Sequence, residues 1–82
     1  MVMHRPSSRR RPADPKPGEH LWSLHRAGRE IECELRSIAP GAWECFVFDD
    51  DWLISSRRLS SRVEALAYAE EQRRALVREG WA

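Results

Sequence analysis

Arg29-Glu30-Ile31-Glu32-Cys33-Glu34-Leu35-Arg36 alternates charged and apolar side chains without exception. That period of two is the signature of a β-strand with one wet face and one buried face, and it decides how the flanking segments are read. Upstream, Ala27-Gly28 supplies a tight turn bearing a glycine, so the residues before it form the preceding antiparallel strand. Downstream, Ala39-Pro40-Gly41 breaks the chain before Trp43-Glu44-Cys45-Phe46-Val47-Phe48. Asp49-Asp50-Asp51 then makes a polar tip ahead of Trp52-Leu53-Ile54. The expectation is a four-stranded antiparallel meander over about residues 21–26, 29–37, 42–49 and 52–58.

Residues directly opposite one another share a face, which allows the register to be set from the apolar pattern. The first hairpin pairs Leu24 with Ile31 and Trp22 with Cys33. The second is expected to pair Leu35 with Trp43, Cys33 with Cys45 and Ile31 with Val47. In the third, Val47 should meet Ile54, Cys45 should meet Ser56 and Glu44 should meet Arg57. These choices agree on one buried face of Trp22, Leu24, Ile31, Cys33, Leu35, Trp43, Cys45, Val47, Trp52 and Ile54.

Residues 61–79 read as the helix that covers this face, giving an α+β domain of order ββββα. Ser61-Arg62-Val63-Glu64 has the form of a capping box, and Gly80 is placed to end the helix. Val63, Leu66, Ala69, Leu76 and Val77 fall on one side at helical spacing, with Glu70 and Arg74 paired outside it. Arg73 lies within the apolar stripe and is expected to snorkel over the sheet edge.

The 82 residues are 41% hydrophobic and 33% charged, enough for one small folded domain over residues 19–82. Residues 1–18 differ in kind: they hold four prolines, five basic groups against one acidic group, and Val2 with two methionines as their sizeable apolar side chains. Such a segment is expected to be a disordered basic tail with polyproline II character, whether translation starts at Met1 or Met3. The remainder carries nine basic and twelve acidic residues, so the net charge of +1 conceals a basic tail on an acidic domain. No run of about 18 apolar residues is present to span a membrane, and no apolar stretch follows the N-terminal arginines as a secretory signal would require. The two cysteines do not form a disulfide framework, and the expected compartment is the cytoplasm.

Leu21, Phe46, Phe48 and Leu53 are expected to point away from the helix. Four large apolar side chains gathered among charges mark a protein partner or homodimer interface, so a non-catalytic interaction or self-association module is the leading expectation. Nucleic-acid binding is the alternative, through Arg9-Arg10-Arg11 of the tail and Arg57, Arg58 and Arg62 where the last strand meets the helix. Against it, Glu30, Glu32, Glu34 and Glu44 share the open sheet face and repel phosphate.

Other chemistries are poorly supplied. A metal site would need His20 or His25 beside Cys33 and Cys45, with His20 near Leu35 on the buried face, and the cysteines lack a zinc-knuckle spacing. Asp49-Asp50-Asp51 lacks the glycine and distal glutamate of a calcium loop. His25 near Glu30, or Ser55 and Ser56, do not assemble a nucleophile, an orienting base and an oxyanion site. No enzyme activity, cofactor, metal or small-molecule substrate is expected, and Trp22, Trp43 and Trp52 are assigned to filling a small core.

Ser55-Ser56-Arg57-Arg58-Leu59 followed by Arg62-Val63-Glu64-Ala65-Leu66-Ala67-Tyr68-Ala69-Glu70 resembles the last strand and helix of the arm-type, AP2-like DNA-binding domains of tyrosine recombinases. The same stretch is similar to small uncharacterised bacterial sheet-plus-helix families of βββα type. The resemblance covers about the C-terminal half. It implies a small bacterial sheet-plus-helix protein, and, for the recombinase-like domains, a basic sheet face that enters the major groove. The acidic face of this chain departs from that pattern.

Overall fold

A computed structural model of the chain describes Arg9–Arg10 and residues 18–82. The elements are β1 (Arg9–Arg10), β2 (Glu19–Arg26), β3 (Arg29–Ala39), β4 (Ala42–Asp49), β5 (Trp52–Leu59) and α1 (Arg62–Arg78). Strands β2 to β5 form the expected antiparallel meander with one C-terminal helix, an α+β arrangement. The two-residue β1 adds to the outer edge of β5, with Arg9 opposite Leu53 and Arg10 opposite Trp52. The expectation of disorder over residues 1–18 otherwise falls outside the described residues, save for Gly18.

The first hairpin has the expected register, Leu24 opposite Ile31 and Trp22 opposite Cys33. Its two-residue loop has positive φ at both Ala27 (50°) and Gly28 (78°), the type I′ geometry whose twist matches the flanking strands. Alanine in that left-handed region clashes with its own backbone. Ala27→Gly should therefore raise stability by about 0.5–1 kcal/mol, read as a higher urea midpoint at unchanged m.

The other two registers differ from expectation. β3 runs on to Ala39, and Pro40-Gly41 closes a tight turn with Ala39 opposite Ala42. This draws β4 two residues along β3, so Leu35 faces Cys45, Cys33 faces Val47 and Ile31 faces Asp49. A slip of two preserves every side chain's face, which is why the apolar pattern alone did not distinguish the registers. Between β4 and β5 the ladder starts at the expected tip, Asp49 opposite Trp52, and then shifts: Phe48 faces Leu53 but Val47 faces Ser55. Ile54 is the extra residue of a β-bulge and is 47% exposed, rather than buried opposite Val47. Beyond the bulge Cys45 faces Arg57, Glu44 faces Arg58 and Trp43 faces Leu59, so Leu59 joins the core that Ile54 and Trp52 were expected to fill.

Helix α1 packs on the face of Leu24, Ile31, Cys33, Leu35, Cys45 and Val47. Ser61 caps it by accepting from the Glu64 amide at 3.1 Å. Glu64 reaches back one residue further than a capping box requires, accepting from the Ser60 hydroxyl at 2.7 Å and more weakly from its amide. The buried line of the helix is Ala65 and Ala69, with Leu66, Tyr68 and Leu76 packed beside them. Val63 is 78% and Val77 43% exposed, so the apolar stripe is rotated from the expected one. Small residues there bring the helix backbone close to the sheet. Trp22 Nε1 donates to the Ala69 carbonyl at 3.0 Å and Cys45 Sγ to the Ala65 carbonyl at 3.3 Å.

At its C-terminus α1 ends in a Schellman motif. The Gly80 amide donates to Val77 O, the Trp81 amide donates to Leu76 O, and Gly80 has a φ of 101° that only glycine adopts at low cost. The reversal drives Trp81 into the core, with the Arg26 and Arg29 guanidinium groups over its ring at 5.9 and 5.5 Å. Ala82 then exchanges two backbone hydrogen bonds with His25 on the free edge of β2.

Arg73 turns back along α1 rather than reaching the sheet edge. It donates twice to Glu70, at 3.0 and 2.7 Å, and Arg74 adds a third bond at 3.1 Å. The Arg73 bond, seconded by Arg74, lowers the Glu70 carboxyl to about 2. A lowered carboxyl stabilises the fold above its ordinary value near 4.5 and loses that contribution as pH falls towards 2. The difference in thermal midpoint between wild type and Glu70→Gln should accordingly close across that window and stay constant from pH 6 to 8.

Candidate interaction surface opposite the helix

The strand alternation that buries Cys33, Leu35, Cys45 and Val47 under α1 sends Glu32, Glu34, Arg36, Glu44, Phe46 and Phe48 to the other face. Cross-strand pairing sets Phe48 against Glu32, Phe46 against Glu34 and Glu44 against Arg36. Leu53 faces Phe48 from β5. The two phenylalanine rings stack with centroids 6.2 Å apart and planes 17° from parallel. Arg36 lies over the Phe46 ring at 5.4 Å and donates to Glu34 at 3.1 Å.

This face is far drier than its sequence implies. Phe48 is 0% and Phe46 8% exposed, and the Arg36 and Glu34 side chains keep only 11% and 13% of their surface in water. A charged pair that dry persists only when hydrogen-bonded and fully neutralised. Alternation predicts one wet face and one buried face; in β4 both faces are buried from Cys45 to Phe48, and in β3 the outward Glu32, Glu34 and Arg36 are half-buried.

The expected interface residues separate. Phe46, Phe48 and Leu53 do point away from α1, the phenylalanines as buried groups. Leu21 does not join them. A bulge between His20 and Trp22 makes it the additional residue of β2, and it packs against the helix-side core. The same bulge puts His20 opposite Glu34 on the acidic face, rather than near Leu35.

The arginines proposed for nucleic acid also separate. Arg57 lies on the helix side, 5.1 Å over the Tyr68 ring. Arg58 points to the opposite face, 3.9 Å from Glu44. Arg62 holds both carboxylate oxygens of Glu19 at 3.0 and 2.8 Å. Each has a local aromatic or acidic partner, and Arg57 and Arg58 lie on opposite faces of the sheet. Arg9 and Arg10 are fixed only as backbone of β1, and Arg11 lies outside the described residues.

Among the described residues no group of three or more His, Cys, Asp or Glu side chains could hold a metal, and no helix is long and apolar enough to cross a membrane. His25 lies 3.3 Å from Glu30, while Ser55 and Ser56 are exposed on β5. An open groove of about 380 Å³ between β5 and α1 is lined by Arg57, Leu59, Glu64, Ala67, Tyr68 and Glu71, a set without a nucleophile beside a base. Cys33 and Cys45 are completely buried free thiols. A hydrogen bond with Cys45 and burial push the Cys33 thiol up. Both thiols should therefore resist a disulfide reagent in the native state and react at the rate of unfolding.

Sequence reasoning missed Arg36 on this face and, in the helix-side core, Trp81. Arg36 ends the charged alternation and was read with its neighbours as solvated. Trp81 follows Gly80, and a large apolar residue just after a helix-ending glycine is the signal that would have found it. In comparison with known proteins, the chain matches no family, no curated protein and no solved structure.

Proposed function

We propose that the protein is a small, non-catalytic protein-interaction module that recognises an extended, basic segment through the Phe46–Phe48 face. The observation that carries this reading is the gathering of Glu32, Glu34 and Glu44 around the buried, stacked Phe46–Phe48 pair on the sheet face opposite α1. Carboxylates gathered on one face select for Lys and Arg in an extended partner. The same carboxylates disfavour nucleic acid, and Arg57, Arg58 and Arg62 diverge. Two free, buried thiols support a reducing compartment, for which the cytoplasm is our inference.

A peptide-display selection against the full chain tests this, with Glu32→Lys/Glu44→Lys as counter-target. Enriched sequences should be basic, and should not bind the variant. Failure to enrich any sequence that depends on Glu32 and Glu44 would overturn the reading. So would oligonucleotide binding that shifts Arg57, Arg58 and Arg62 resonances and weakens steeply with salt, which would favour the nucleic-acid alternative.

A further inference from the structure

We propose that the outer edge of β2 is the docking site for the backbone of the extended basic partner, and that Ala82 holds part of that site in the free protein. The proposal rests on the preceding reading, which supplies the partner's chemistry, and adds how its backbone is held. β2 is the terminal strand on its side of the sheet, so one row of its backbone N–H and C=O groups faces outward. Among the described residues, backbone bonds to this row come from Ala82 alone: the His25 amide donates to Ala82 O at 2.7 Å, and the Ala82 amide donates to His25 O at 3.1 Å. That reciprocal exchange is one rung of an antiparallel ladder.

The next rung is open. Outward backbone groups recur at every second residue of an edge strand, so Ser23 presents the N–H and C=O that follow those of His25. The bulge between His20 and Trp22 interrupts the row beyond Ser23. An extended segment running antiparallel to β2 therefore gains two rungs, one by taking the place of Ala82 at His25 and one at Ser23.

The position of the acidic residues sets which segment fits. Residues directly opposite one another share a face, and β3 sets Glu30 opposite His25 and Glu32 opposite Ser23. Partner residues opposite His25 and Ser23, two apart in their own sequence, consequently point over β2 towards Glu30 and Glu32. Backbones two strands apart are separated by about 10 Å, a gap that a long cationic side chain and a carboxylate close between them, and Ser23 is too short to obstruct it. The Glu30 and Glu32 side chains keep 41% and 19% of their surface exposed. The edge thus selects Lys or Arg at positions i and i+2 of a strand, reaching the acidic face from its side.

The test uses the peptide acetyl-Thr-Lys-Thr-Lys-Thr-amide, titrated into the isotope-labelled full chain and followed by amide NMR. The proposal expects shifts at Ser23 and His25, slower solvent exchange of the Ser23 amide, and faster exchange of the Ala82 amide as it is displaced. Methylating the backbone nitrogen of either lysine removes a rung and should weaken binding at least about tenfold, whereas methylating that of the central threonine, which points away from β2, should leave it unchanged. Equal binding of the two methylated forms, or no binding of the parent peptide, overturns the proposal. Equal binding that is still lost in Glu32→Lys would defeat edge docking and leave the acidic-face reading standing. Binding that discriminates between the methylated forms but is unchanged in Glu32→Lys would uphold the edge and defeat the selection for basic partners.

Discussion

Ala65→Asp is expected to abolish cooperative folding at neutral pH. Ala65 has no solvent exposure, and its carbonyl already accepts from the Cys45 thiol, so a carboxylate there meets apolar side chains and no cation. Burying an unpaired charge costs about 4 kcal/mol or more, against a total stability of about 5–10 kcal/mol for a domain of this size. The added volume also forces α1 away from β4, breaking the Trp22 to Ala69 bond on the next turn. Far-ultraviolet circular dichroism and a urea melt provide the measurement. Ala67→Asp, on the exposed side of the same helix turn, should melt within about 1 kcal/mol of wild type. If Ala65→Asp melts like Ala67→Asp, α1 does not bury the line assigned to it.

Phe48→Ala should cost about 3–5 kcal/mol, the range for emptying a large aromatic site in a close-packed interior. The size of the effect is informative because sequence alone places Phe48 on the solvated face, where truncation would change stability by about 0.5 kcal/mol or less. Stacking on Phe46 adds to the loss. Val63→Ala, at 78% exposure, is the matched control for an apolar residue that does not pack.

Most of the architecture is legible in local sequence because each element announces itself within a few residues. The alternation from Arg29 to Arg36, the Ala27-Gly28 turn, the Ser61 cap and the Gly80 stop each place one boundary. The registers are less legible. A two-residue slip between β3 and β4 leaves all faces unchanged, and the bulge at Ile54 costs one unpaired residue that no pattern of period two reports. The helix face was displaced for a related reason: Val63 and Val77 look apolar, but close approach to the sheet is better served by alanines 65 and 69.

The candidate site was half legible. The aromatic pair and its acidic surround were assigned to the correct face, and Leu21 was misassigned because its bulge inverts the local alternation. Burial of the pair was not legible at all. An alternating strand is read as half wet by default.

At Phe46 and Phe48 the sheet face opposite α1 is interior and not solvated. The most direct test is relaxation of side-chain protons in the full chain by a soluble gadolinium chelate. The Phe48 ring should be protected to the same degree as the Ala69 methyl, with the Val63 methyls relaxed strongly as the exposed reference. A Phe48 ring that relaxes like Val63 would contradict the account and return this face to solvent.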